Sequence, residues 1–198
     1  MVFMIFAINA GAQSNFKGDQ LISGRYGEVE LSYDSASKRF TGIDHARENE
    51  HGSILFSGKM IKSKSGFIPV KVYESGNEGN DLVGRIVLKT DKNGQNYAIS
   101  IVIDKDSGRK YTGYIQNGDF LPLDKIYPYH KFSMIKSAKI NVYSDTLGTV
   151  TKGASLFKGD LVSILAENKH YSFVQFIREK DDKRPALNGW VRKSDLIL

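Results

Sequence analysis

Short segments that alternate apolar and polar side chains follow one another along most of this chain, with turn-forming residues between them. The first is Arg25–Tyr33, which reads as a single strand. Val29, Leu31 and Tyr33 would share one of its faces, because side chains in a strand alternate with a period of two. No segment sustains the period of a helix, which excludes α/β architectures. The chain is therefore predicted to be all-β.

The segments that follow are linked like the strands of a meander. They are Arg39–Ile43, Ser53–Ile61, Phe67–Tyr73, Leu82–Leu88, Tyr97–Ile103 and Lys110–Ile115. Several links, such as Asp91–Gly94 and Asp104–Gly108, have the length and composition of hairpin turns. A sheet of this kind avoids exposed edges by closing into a barrel or packing as a sandwich. We predict an antiparallel meander domain, either barrel or sandwich, over residues 20–131.

The segment Leu121–His130 interrupts this rhythm. It contains two prolines and several aromatic residues, a composition typical of a semi-rigid connector. We place a domain boundary within Phe132–Ser137 and predict a second, smaller domain over residues 137–198.

Four consecutive patterns characterise this second domain. They are the strand Ala138–Ser144, the turn and strand Leu156–Leu165, the aromatic strand Tyr171–Phe176 and the closing segment Asn188–Leu196. In this order and spacing they resemble the bacterial SH3 family. The resemblance implies a small SH3-like barrel that recognises peptidoglycan stems or peptides. Two features depart from the family pattern: Tyr171 replaces the usual tryptophan, and Arg178–Asn188 is a charged insertion.

The N-terminal part resembles an uncharacterised bacterial β-meander family that is found fused to SH3-like domains. Short glycine-containing motifs carry this resemblance, among them Ser23–Gly27 and Asp81–Gly84. It implies architecture only. In the C-terminal part, Gly159 is expected to supply a positive φ in its turn, and Gly189 to let the chain bend before Trp190.

The best ligand-binding candidates are the aromatic residues of the second domain. They are Tyr143, Tyr171, Phe173 and Trp190. Alternation places Tyr171 and Phe173 on the face opposite to Val174, so one face of this strand should be less buried. Tyr and Trp can bury a ring while keeping a polar group in water. The alternative is that all four form the barrel core, and Trp190 is the one we expect to lie mostly there.

The N-terminus carries a compartment signal. Residues 1–12 form a short apolar run that ends in Ala10-Gly11-Ala12, a pattern typical of a signal peptide although the charged first region is missing. A buried first strand is the alternative. Twelve residues are too few to span a bilayer, and no other long apolar run occurs, so we predict no membrane span. The mature protein is expected to be exported, to the periplasm or the cell surface.

Charge and cysteine content narrow the function classes. The net charge is +6, but basic residues are mixed with acids and the densest runs, Lys59–Lys64 and Lys180–Arg184, are short. A nucleic-acid-binding protein normally concentrates its basic residues, so we predict no nucleic-acid partner. The chain has no cysteine, which excludes disulfides, thiolate metal sites and cysteine nucleophiles.

Metal and catalytic chemistry find little support in the residue pattern. The stretch His45–His51 contains two His and two Glu, but its spacing fits no rigid element and no distant third ligand is evident. Glu28 and Glu30 would both face solvent rather than line a cleft between two carboxylates. No serine-nucleophile or phosphate-loop motif occurs. We therefore predict no enzyme, no catalytic residue, no metal and no cofactor.

These observations favour an exported, non-catalytic binding protein of the bacterial envelope, with peptidoglycan or a peptide as its partner. The alternative is a protein inhibitor or immunity protein against a secreted cell-wall enzyme, with His45–His51 or Arg178–Asn188 as the inserted loop. A weaker alternative is a lipocalin-like carrier of small ligands, which requires an open, apolar barrel interior.

Overall fold

The computed structural model describes residues 21–44, 53–61, 67–74, 82–90, 92, 96–103, 118–127, 130–148, 150–178 and 183–197. The apolar run 1–12, the stretch His45–His51 and the predicted strand Lys110–Ile115 lie outside these ranges. Within them the protein is all-β, as predicted, and its one helical element is a 3-10 turn at Lys193–Asp195. No helix in the described ranges is long and apolar enough to cross a membrane.

The N-terminal part is a closed antiparallel barrel of eight strands in sequential order. The strands are β1 (Gly24–Tyr26), β2 (Val29–Asp34), β3 (Arg39–Asp44), β4 (Ile54–Lys59), β5 (Phe67–Glu74), β6 (Leu82–Thr90), β7 (Asn96–Ile103) and β8 (Leu121–Ile126). Each strand pairs with the next along the chain, and β8 pairs with β1 to close the barrel. The predicted meander is confirmed, and of the two predicted forms it takes the barrel.

The prediction of one strand over Arg25–Tyr33 was wrong. The segment is a tight hairpin: β1 and β2 pair with each other, with Tyr26 opposite Val29. Gly27 adopts a φ of +59° in the turn between them, and its N–H donates to Asp124 Oδ2 at 3.0 Å. Tyr26 and Val29 are both buried although they are three residues apart, so the alternation changes phase at the turn between them. The regular spacing of Val29, Leu31 and Tyr33 concealed this change in the sequence.

The segment predicted to be a connector also forms a strand. Residues 121–126 are β8, which pairs with β1 along most of its length but with β7 only at Leu121 and Pro122. Pro122 lies exposed at the end of the β7 ladder, where a missing N–H interrupts little pairing. The connector prediction was therefore wrong for residues 121–126, where Pro122 lies in the strand that closes the barrel. Pro128 lies outside the described residues.

The barrel interior is filled by large side chains. Tyr26 of β1, Phe40 of β3 and Phe56 of β4 are almost fully buried and pack among aliphatic residues from β2 and from β4 to β8. The Phe56 ring lies against Gly42, its cross-strand partner, and the Phe40 ring lies against Gly58 in the same way. Each ring occupies the space that a side chain on the opposite glycine would need. An interior packed in this way does not favour the small-ligand carrier.

The C-terminal part is a second sheet of seven strands, all of whose pairings are antiparallel. Its strands are β9 (Lys131–Ile135), β10 (Lys139–Tyr143), β11 (Val150–Phe157), β12 (Leu161–Glu167), β13 (Tyr171–Phe176), β14 (Asn188–Arg192) and β15 (Leu196–Ile197), in the order β11-β10-β14-β13-β12-β9-β15. It has its own core, built around Val142, Val162, Val174 and Val191. β9 begins at the last residue of the first predicted domain range, 20–131, ends before the second range, 137–198, and pairs within this second sheet.

A third apolar cluster joins the barrel to the second sheet. Ile43 and Leu55 point outward from β3 and β4 and pack with Phe132, Met134 and Leu161 of the second sheet. The backbone reinforces the junction, since the N–H of Phe132 donates to Thr41 Oγ1 at 2.9 Å. We call this set the junction cluster. It fixes one face of the barrel against the second sheet.

Candidate ligand-binding face

All four aromatic residues predicted to bind a ligand lie on one outward face of the second sheet, which we call the aromatic face: Tyr143 on β10, Tyr171 and Phe173 on β13, and Trp190 on β14. All four are half-buried. Their neighbours along the strands, including Val142, Val174 and Val191, are buried in the core on the opposite side. The alternative that all four residues form the core is therefore wrong. Trp190, which we expected to lie mostly in the core, is instead half-buried on the outward face.

The rings form two edge-to-face pairs. The Phe173 and Trp190 ring centroids are 5.4 Å apart with an interplanar angle of 63°. The Tyr143 and Tyr171 centroids are 6.2 Å apart with an angle of 85°. Trp190 is the cross-strand partner of both Phe173 and Tyr143, so the rings lie in a row across three adjacent strands. Aromatic pairs prefer this geometry, which holds the rings rigid.

The turn before β13 positions Tyr171. Asn168 Oδ1 accepts the backbone N–H of His170 at 2.9 Å and that of Tyr171 at 2.8 Å. Short polar side chains that bond the backbone in this way stabilise tight turns. From the other side, the N–H of Lys193 donates to the His170 carbonyl at 2.9 Å. Tyr171 thus begins its strand with its backbone fixed on both sides.

A glycine allows β10 and β14 to approach each other beneath the rings. A Cβ on Gly189 would lie 2.5 Å from Val142 Cγ1 and 2.8 Å from the Tyr143 carbonyl oxygen. Any larger residue would therefore push β10 away and separate Tyr143 from Trp190. Elsewhere in the sheet, Gly159 adopts a φ of +88°, as predicted for its turn.

Arg192 adds a positive charge that the sequence reasoning missed. It is the cross-strand partner of Tyr171 and is exposed at the edge of the aromatic face. A hydrogen bond with the Tyr171 side chain, followed by the nearby Tyr143 phenol, raises the pKa of Arg192 above its ordinary value. The guanidinium is therefore charged at any physiological pH. The sequence contained one sign of this position: Arg192 lies two residues after Trp190, so the alternation of a strand places both side chains on the same face.

Leu165 is a second residue that the sequence reasoning missed. The pairing of β12 with β13 contains a bulge between Ile164 and Ala166, and Ala166 is the partner of Phe173. Leu165 lies in this bulge with 47% of its surface exposed. A bulge cannot be read from alternation, since it depends on how the partner strand is matched. An exposed apolar side chain thus lies on the strand next to the aromatic face.

The end of the charged insertion is held against the second sheet. Arg184 forms two hydrogen bonds with Asp160, from Nη1 to Oδ2 at 2.7 Å and from Nη2 to Oδ1 at 2.8 Å. Its guanidinium also lies 4.3 Å from the centroid of the Phe176 ring. The described part of the insertion therefore lies back on the sheet, which does not favour its use as a projecting inhibitory loop.

Metal-binding groups are not clustered in the part of the chain that the structure describes: no three His, Asp or Glu side chains there lie close enough to share an ion. Comparisons with protein-family models, with curated proteins and with solved structures gave no match for this chain. Its function must therefore be inferred from the geometry of the molecule itself.

Proposed function

We propose that this chain is a non-catalytic binding protein of the bacterial envelope, and that its SH3-like second sheet recognises peptidoglycan. The observation that carries the proposal is the aromatic face, where Tyr143, Tyr171, Phe173 and Trp190 lie together on the side of the sheet that faces away from the core. If these rings had only a structural role, burying them in the core would stabilise the domain more than their present half-exposed position does.

The chemistry of this face suits a ligand with sugar or peptide groups and a carboxylate. Half-exposed rings offer flat apolar surface, and the Tyr and Trp polar groups offer hydrogen bonds beside it. Arg192 provides a charged, planar donor that matches a carboxylate. A peptidoglycan stem peptide carries carboxylates next to a glycan, so one ligand would use both parts of the face.

Binding to purified cell-wall sacculi tests the proposal. The wild-type chain should co-sediment with sacculi, and Tyr171→Ala should weaken this binding roughly two- to tenfold, the range expected for one aromatic contact. Tyr97→Ala is the control, because Tyr97 is a surface tyrosine that lies on the barrel and not on the second sheet, with 42% of its surface accessible. It should bind as the wild type does.

Competition identifies which part of the polymer is bound. Free stem peptide should displace the protein from sacculi, whereas glycan strands stripped of peptide should displace it less. If the folded wild-type protein fails to sediment with sacculi, or if Tyr171→Ala and Tyr97→Ala bind alike, the proposal is wrong.

Export to the periplasm or cell surface is part of the same proposal, and the apolar run 1–12 supports it. Fractionation of cells that express the full chain should place the protein outside the cytoplasm. Sequencing of its N-terminus should show removal of the first twelve residues. Recovery of the uncleaved chain from the cytoplasm would contradict this part of the proposal.

A further inference from the structure

A groove of about 740 Å³ lies beside the junction cluster, between the barrel and the second sheet. Its floor is the outer face of β3, β4 and β5. Closer to the junction, this same face carries Ile43 and Leu55 and is covered by the second sheet. Further from the junction, this face is uncovered and carries Arg39, Lys59 and Lys71, while Lys131 lines the groove from the second sheet. We call this groove the basic groove.

Three of these cations are close neighbours on the barrel surface. Arg39 and Lys59 are direct cross-strand partners, and Lys71 is paired with Ser57, two residues before Lys59. Like charges directly opposite each other in a sheet are destabilising. In the described ranges, none of the three has a carboxylate within ion-pair distance. The barrel therefore tolerates an unfavourable concentration of positive charge at this position.

The two acids that line the groove are already engaged. Asp34 accepts the Ser37 hydroxyl at 2.6 Å and the Ala36 N–H at 2.9 Å within the turn before β3. Glu167 lies 3.2 Å from Lys193 Nζ and 3.5 Å from Lys131 Nζ. Asp34 is also the direct cross-strand partner of Arg39 and provides one negative charge beside it. In the described ranges, Lys59 and Lys71 have no carboxylate within ion-pair distance, so the three barrel cations keep a net positive charge.

The rest of the lining suits the body of an organic anion. Thr41 and Ser57 are cross-strand partners that place two hydroxyl groups on the groove floor between the cations and the junction. Thr41 Oγ1 accepts the N–H of Phe132 through a lone pair, so the hydroxyl proton of Thr41 stays free to donate a hydrogen bond to a ligand in the groove. Pro69, Tyr73 and Val83 add apolar surface beside these donors.

From this arrangement we infer that the basic groove binds a soluble organic phosphate with more than one negative charge. Arg39 supplies a planar fork that matches phosphoryl oxygens, and Lys59 and Lys71 supply point charges on the same face. The groove volume falls in the range of small-molecule sites. Its recessed position between two sheets favours a small ligand over an extended surface. This site is separate from the aromatic face and does not depend on it.

Only one cation of this site, Lys59, belongs to a basic run of the sequence, Lys59–Lys64. Arg39, Lys59, Lys71 and Lys131 come from four different strands, and only the barrel closure and the junction bring them together. The expectation of dispersed positive charge was correct along the chain but does not describe this part of the folded surface.

Calorimetric titration with inorganic tripolyphosphate tests the site, with the full-length folded protein as the sample. The wild type should bind, and rising salt should weaken binding because the contacts are ionic. The triple variant Arg39→Gln, Lys59→Gln, Lys71→Gln should bind at least about tenfold more weakly, as expected when charge-assisted hydrogen bonds are removed. Tripolyphosphate should raise the melting temperature of the wild type and not that of the variant.

The control removes the same charge from other exposed positions, as Lys125→Gln, Lys136→Gln, Lys139→Gln. It should bind tripolyphosphate as the wild type does. Equal losses in the two triple variants would show diffuse charge attraction and overturn the inference, as would a wild type that does not bind. Retention on phosphatidylglycerol vesicles without tripolyphosphate binding would also overturn it, because the groove would then not be a site for a soluble ligand.

Discussion

Replacement of Phe132 by alanine should separate the two parts of this protein. Phe132 is 5% exposed and packs in the junction cluster between barrel and second sheet. Truncation of a buried phenylalanine costs about 3 to 5 kcal/mol, from lost burial plus the cavity left behind. For a chain of this size, that corresponds to a fall of roughly 6 to 20 °C in melting temperature.

The shape of the unfolding curve is the more specific readout. In the wild type the junction cluster couples the two cores, so we expect one cooperative transition in calorimetry and in denaturant. In Phe132→Ala each core remains intact while the contact between them weakens. The variant should therefore show two resolved transitions, and the barrel and second sheet should lose their signals separately.

Phe120→Ala is the matched control, because Phe120 has 45% of its surface exposed. Its effect should stay below about 1 kcal/mol, as for most exposed sites. A double-mutant cycle of Phe132→Ala with Leu55→Ala should give a coupling energy of about 0.5 kcal/mol or more. If Phe132→Ala costs no more than Phe120→Ala, or if the cycle is additive, the junction cluster does not hold the two parts together.

Two further predictions concern the second sheet. Gly189→Ala should destabilise it by about 1 to 3 kcal/mol in denaturant unfolding, since the new methyl group would collide with β10, and a smaller loss would contradict the close approach described above. Burial acts to raise the pKa of Glu167, but two lysines and Ser172 outweigh it and lower the pKa below its ordinary value. A carboxylate whose pKa is lower in the folded than in the unfolded state stabilises the protein at pH values above the unfolded pKa. This stabilisation is lost as the pH falls through the folded-state pKa. The stability difference between wild type and Glu167→Gln should therefore shrink as pH falls from about 7 to about 3, and a constant difference would refute this account.

The faces of most strands could be predicted from the sequence, because side-chain direction in a strand is a local property. Alternation correctly placed Tyr171 and Phe173 opposite to Val174, and the same rule extends to Arg192. The all-β class and the meander order followed from short periodic segments joined by hairpin-length links. The aromatic residues could be selected for the same reason, since half-buried strands must direct their alternate residues outward.

What the tertiary structure alone decided are the features that depend on which strands meet. β8 was not recognised as a strand because its main partner, β1, lies far from it in the sequence. The Leu165 bulge, the junction cluster and the basic groove likewise require knowledge of register and of how the two sheets dock. Local sequence determines the side on which a residue lies, whereas contacts between distant residues depend on chain closure and packing, which no single segment encodes.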